Sequence, residues 1–298
     1  MASILLFRRL TLLAWTALLG IVLSANGQTQ TSKKVFVVAD VRGVETIFNL
    51  RTQATPYQSA RWEESRELLT GDVNAAAEGL FEGGAAAVDI YDAYADGQNL
   101  SSLTIFPKAR LLVGRPVSPN LQLDQGYSAL VFVGQQAMAG ASHGVLNGSY
   151  DARYIQAIWV NNKPTGEIGA RTMLAGYFGI PVIMLSGDEA ACKELHELVP
   201  EADCAIVKWG VSRIAGYTLP TPRARVLIHE KARHAMERLA EIKPYRLEGP
   251  VEVKVEFTTE GASTRLYAPR EGVEHLNQRT WAFRGKDIID AWFKFQGF

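Results

Sequence analysis

The chain has 298 residues, with 31 Lys plus Arg against 31 Asp plus Glu, 47% hydrophobic residues, 26 Gly and 2 Cys. That length supplies a substantial core for one large or two ordinary domains without disulfide staples, and the near-average composition argues against a disordered, collagenous or multi-span membrane protein. The balanced charge provides no basic field and so speaks against nucleic acid as a partner, leaving an α/β-type protein that works on small molecules or peptides.

The chain opens on a targeting signature. Arg8 and Arg9 precede Leu10 to Leu23, an apolar run of about fourteen residues, and Ala25-Asn26-Gly27 places small residues at both cleavage spacings. We expect a signal peptide over 1–27, a short polar linker over 28–32 and one domain over 33–298, exported to the periplasm or secreted. The competing reading is an uncleaved anchor, for which the run is short of the ~20 residues that span a bilayer. Membrane contact is then confined to this segment before cleavage, which leaves a mature net charge of −2. No Cys follows the run, which argues against a lipoprotein. An oxidising compartment permits disulfides, so Cys192 and Cys204 are either a bridge or two separate thiols.

Val35 to Ala39 is a short apolar run that delivers Asp40 at its C-terminal end. Helical spacing follows over Ser59 to Leu80, through Trp62, Leu68, Leu69, Val73 and Leu80, closed by Gly83-Gly84. Further strands are predicted at Ala86 to Tyr91, Ser128 to Val133, Ile155 to Val160 and Pro181 to Leu185, with a helix over Glu167 to Phe178. The alternation predicts an α/β fold: an open, largely parallel sheet with helices on both faces. Ligands sit outside the carboxyl ends of such strands, where Asp40, Asp92 to Asp96 and Gly134 to Gln136 fall. The later chain changes texture, with a charged helix over Thr221 to Ile242, the alternating strand Val251 to Phe257 and a closing helix over Asp287 to Phe295. This predicts a packed C-terminal α+β subdomain, with sublobes about 33–200 and 201–298.

Five ordered segments then carry a resemblance: Asp40-Val41-Arg42-Gly43, Gly134 to Gly140, Gly144 to Tyr150, Pro164 to Gly169 and Gly179 to Cys192. With Ala205 to Lys208 and Phe283-Arg284-Gly285 they resemble the DppA-type D-aminopeptidases over about residues 33 to 295. The resemblance implies a dinuclear zinc peptidase that removes N-terminal D-amino acids from short peptides and assembles as a ring-shaped homo-oligomer. It also implies metal ligands in five motifs, most of which depart here. Arg42 stands where the family has Glu, Tyr94 and Gln136 where it has His, and Gly148 follows Asn147 where it has a catalytic His with Thr or Ser; Asp40 and Glu167 remain.

A catalytic zinc ion needs about three ligands from His, Cys, Asp or Glu. Tyr94 is a poor ligand because a phenol titrates near pH ~10, and a Gln136 carbonyl suits harder ions. A guanidinium ~4 Å from a dication is repelled by roughly 8 kcal/mol at an effective dielectric of ~20. We therefore expect no metal and no cofactor, with Arg42 in the former metal position, paired with Asp40 or Glu167, and Tyr94 and Gln136 completing a pocket for a small peptide or amino-acid ligand. Arg42 pointing into solvent is the plainer alternative, and Trp159 reads as a core residue of its strand. A second reading keeps a working hydrolase with zinc in a rearranged or one-metal site. His143 is the sole histidine near the motifs and the weak candidate for a general base, alone or with Ser142 or Ser149. His196, His229, His234 and His275 read as structural or exposed. Asp92 and Asp96 either join Asp40 and Glu167 in an all-oxygen cation site or cap a turn.

Overall fold

The computed structural model describes residues 33–115, 117–264 and 270–296; the expected signal peptide and linker lie outside the described residues. In chain order the strands are β1 (Lys34–Ala39), β2 (Ala87–Asp92), β3 (Arg110–Leu112), β4 (Ala129–Gln135), β5 (Ile155–Val160), β6 (Lys163–Pro164), β7 (Val182–Asp188), β8 (Asp203–Ser212), β9 (Ala215–Thr218), β10 (Val251–Phe257), β11 (Val273–Asn277) and β12 (Thr280–Gly285). The helices are α1 (Trp62–Glu82), α2 (Glu167–Tyr177), α3 (Glu189–His196), α4 (Thr221–Glu237), α5 (Glu260–Thr264) and α6 (Ile288–Gln296).

Seven strands form the main sheet in the order β3-β2-β1-β4-β7-β8-β9, parallel except for the β8–β9 hairpin. The central strands β1, β4 and β7 are buried almost throughout, as expected of β-branched runs covered on both faces by helices. From β1 the chain winds outward through β2 and β3, then returns to β4 and winds the other way. The reversal between β1 and β4 opens a crevice at their carboxyl ends, where open α/β sheets hold ligands. α1 begins with Glu63 and Glu64 in its first turn, which suits the positive end of the helix dipole. Its buried Leu69, Val73, Ala76, Ala77 and Leu80 recur at helical spacing and face the core.

The second sheet, β11-β12-β10-β5-β6, is antiparallel wherever it pairs and carries α6 against β10 and β12. Here the predicted division at residue 200 needs correction. β8, β9 and α4 belong to the main sheet's layer, whereas β5, from the first half, pairs with β10. Strand patterning specifies which face is buried and leaves the pairing partner to tertiary contacts. The helix expected over Thr221 to Ile242 ends at Glu237, and a short 3₁₀ turn, Leu239–Glu241, follows.

Candidate functional site

Asp40 follows β1, is fully buried, and donates its own backbone N–H to the Val133 carbonyl of β4. Gly43 then passes so close to Gly134 that a Cβ there would stand 2.3 Å from the Gly134 carbonyl carbon. Gly134 itself adopts a left-handed φ of 69° that favours glycine. At this point the β4–β7 register shifts between Phe132 and Gln135. The irregularity matters for the site, because regular alternation sends neighbouring side chains to opposite faces. Here Gln135 and Gln136 both reach Glu167, their Nε2 groups donating to Oε2 at 3.0 and 2.7 Å.

Glu167 occupies the first turn of α2, where backbone N–H groups and the helix dipole favour a negative charge. Between it and Asp40 lies Arg42, only 7% exposed. The Arg42 Nε donates to Asp40 Oδ1 at 3.1 Å, and Nη2 donates to Asp40 Oδ2 at 2.9 Å and to both Glu167 oxygens at 3.2 Å. Burial opposes charge on this guanidinium, but the Asp40 and Glu167 carboxylates outweigh it and hold its pKa above the ordinary value. Burial likewise opposes ionisation of Glu167; Arg42, Arg171 and the two glutamines prevail and pull its pKa down to about 2. Tyr94 lies beside the cluster, its ring centroid 5.5 Å from the Arg42 guanidinium carbon. Burial, then the Asp40 charge, push its phenol up to about 12, so it stays neutral. Arg42, Tyr94, Gln136, Asp40 and Glu167 are thus one cluster.

Two participants were not singled out in the sequence, although Gln135 falls within the segment expected at the strand ends. Gln135 bridges Gln136 and Glu167 and accepts from Arg171 Nη1 at 3.1 Å. Arg171, 4% exposed, stands one helical turn beyond Glu167 on α2, 3.9 Å from its carboxylate. The Glu-x-x-x-Arg spacing is the signal that could have revealed it, since residues four apart share a helix face. Support comes from behind the cluster: the fully buried Lys208 of β8 donates to the carbonyls of Arg42, Val44 and Ile47 at 2.7–2.8 Å, tying down the loop that presents Arg42. Glu194 of α3 accepts from the Met138 N–H at 2.7 Å and secures the segment after Gln136.

The other candidates stand outside the cluster. His143 is exposed, with a φ of 58°, and does not line the cleft. His196 sits 2.9 Å from the Ala202 carbonyl, His229 3.1 Å from Glu82 and His234 2.8 Å from Asp203, while His275 stacks on Trp281. Asp92 accepts from the N–H groups of Asn99 and Leu100 and caps a turn. Asp96 lines the cleft. Trp159 is half-buried in β5 with Lys254 Nζ 5.2 Å from its ring. Cys192 and Cys204 are free thiols.

Arg42, Glu167 and Arg171 form the polar floor of a cleft of about 760 Å³, lined also by Tyr91, Tyr94, Tyr150 and Trp292, with the fully buried Asp40 paired to Arg42 beneath it. That volume suits a ligand of dipeptide to drug size. As placed, the donor set does not fit a zinc ion: both surviving carboxylates are ion-paired to Arg42, and among the described residues no group of three His, Cys, Asp or Glu is disposed to hold a metal.

The family model described as D-aminopeptidase matches residues 33–296. A D-aminopeptidase of Bacillus subtilis (strain 168) is 29% identical over 238 residues, covering 78% of this chain and 84% of that one. The solved structure of the Zn-dependent D-aminopeptidase DppA from Bacillus subtilis, described as a self-compartmentalizing protease, superposes with a TM-score of 0.80 at 25% identity, covering 88% of this chain and 95% of that one. Its zinc dependence overturns the expectation that no cofactor is involved: the likeness points to zinc. With the family model spanning nearly all the described residues and the sheet order and cleft in place, the chain belongs to the D-aminopeptidase family.

Proposed function

We propose that this is an exported D-aminopeptidase-family protein with a degenerate zinc site, non-catalytic or weakly active, whose cleft binds a peptide or amino-acid-like ligand. The observation that carries the reading is the Arg42 guanidinium, locked between Asp40 and Glu167 at 2.9–3.2 Å. It neutralises the floor while leaving an aromatic wall of Tyr94, Tyr150 and Trp292 for apolar contact. No described histidine stands over the floor to act as a general base. Association with further copies of the chain is part of the proposal, supported by the self-compartmentalizing description of the Bacillus subtilis neighbour.

The neighbour's zinc dependence favours a second reading, a metal-dependent aminopeptidase with a rearranged or one-metal site. In it Arg42 withdraws and Asp40 and Glu167 hold the ion, which when bound supplies Lewis-acid activation of a carbonyl or of water. The deciding experiment is calorimetric titration of D-alanyl-D-alanine, with release of D-alanine followed at saturating zinc and in chelator. The first reading expects binding with turnover slower than about 1 s⁻¹, below the usual enzyme range. Faster turnover that chelator abolishes establishes the second.

A further inference from the structure

Matching every donor in the cleft floor to an acceptor leaves a remainder. Asp40 Oδ1 and Oδ2 and both Glu167 oxygens are each engaged by N–H donors. Arg153 is committed to Asp151, and Arg115 to the Ala93 and Ala95 carbonyls and the Tyr91 hydroxyl. Two nearly buried guanidiniums in the same cleft keep unused N–H groups. Arg42 spends Nε and Nη2 on carboxylates, and its Nη1 donates to none of the described residues. Arg171 uses Nη1 on Gln135, and its buried Nε has no partner. A buried charged donor without an acceptor costs about 1–3 kcal/mol or more, as Arg171 Nε does, whereas Arg42 Nη1 is not buried and faces a cleft that both arginines line, so the two guanidiniums can still take an acceptor-rich group.

We propose that Arg42 and Arg171 clamp the α-carboxylate of the ligand, so that the cleft grips a short peptide or amino acid by its C-terminal end. The inference rests on the ligand-binding reading above and adds which chemical group is recognised. The floor carries two carboxylates and two guanidiniums and is charge-balanced, so unmatched donors, not a net field, do the selecting. A carboxylate is the group whose paired oxygens answer a planar guanidinium fork. Two further details agree. Gly148 keeps space open beside Nη1, since a Cβ there would stand 3.3 Å from that nitrogen. Asp96, a further acid lining the cleft, forms no ion pair with Arg42 or Arg171 among the described residues.

Titration of the intact protein with D-alanyl-D-alanine, its C-terminal amide and D-alanine tests the clamp. The free acid is expected to bind ~10- to 100-fold more tightly than the amide, the worth of a charged hydrogen-bonded pair. Comparable binding of D-alanine assigns the clamp to amino acids, and weaker binding assigns it to peptides; either keeps it. Acid and amide binding equally well overturn the clamp and leave the ligand-binding reading standing, whereas failure of all three to bind overturns both. Two mild variants give a second handle: Gly148→Ala crowds Nη1, and Arg171→Lys keeps the charge for Glu167 while removing the fork. Each is expected to shrink the acid-to-amide ratio; an unchanged ratio in both folded variants overturns the clamp.

Discussion

Glu167 accepts from Arg42, Gln135 and Gln136 while lying 3.9 Å from Arg171, so its ionised form is held by contacts the unfolded chain lacks. Burial works the other way and is outweighed, which brings its pKa from an ordinary 4.5 to about 2. A carboxyl depressed on folding contributes stability above its unfolded pKa and loses it as pH falls through the folded one. At ~1.4 kcal/mol per pH decade the full effect is about 3 kcal/mol, with about 2 of it lost between pH ~5 and ~3. Asp72 acts with the opposite sign, its pKa raised by burial and by Glu45, so the measurement must be a difference. Urea unfolding of wild type should lose about 2 kcal/mol more than Glu167→Gln over that interval; parallel pH profiles would remove Glu167 from the buried ion cluster. Asp40, Arg42, Gln136 and Glu167 were legible in the sequence because family motif positions mark them. Gln135 was not, since only the irregularity at Gly134 turns two adjacent side chains toward one carboxylate.

Between elements, the α1–α4 crossing offers a direct test of packing. A Cβ on Gly79 of α1 would stand 2.3 Å from the His229 carbonyl oxygen of α4, and backbone at that distance cannot rotate aside. Alanine gains ~1 kcal/mol of helix propensity over glycine, but wedging the pair apart costs ~1–3 kcal/mol and disturbs contacts on both helices. Gly79→Ala should therefore lower stability by up to about 2 kcal/mol in urea or thermal unfolding; a stabilised variant would mean that the helices stand further apart. Periodicity revealed both helices without revealing their contact. The same gap explains β5. Its pattern identifies a strand, yet its partners β10 and β6 make it antiparallel and place it in the second sheet. The exposed Gln156 between half-buried Ile155 and Ala157 is the clue, since a strand of the central parallel sheet is buried on both faces.

For the molecule as a whole, the winding reversal between β1 and β4 sets the crevice in which residues as distant as Asp40 and Glu167 meet; the alternation of elements made the open, largely parallel sheet readable in advance, but not its strand order. The N-terminal segment makes a claim about where this molecule works that the cleft cannot make. Arg8 and Arg9, an apolar stretch short of a membrane span, and small residues at positions 25 and 27 argue for cleavage after Gly27. An anchored chain would keep Leu10 to Leu23 and stay with the membrane. If residues 1–27 act as a signal peptide, the protein produced from Met1 in a Gram-negative host should appear in the periplasmic or extracellular fraction. Its intact mass should correspond to a chain beginning at Gln28, and membrane-bound full-length protein would establish the anchor instead. Cleavage also removes two arginines, so native electrophoresis should show the slight negative charge of the mature chain, a signature independent of the mass.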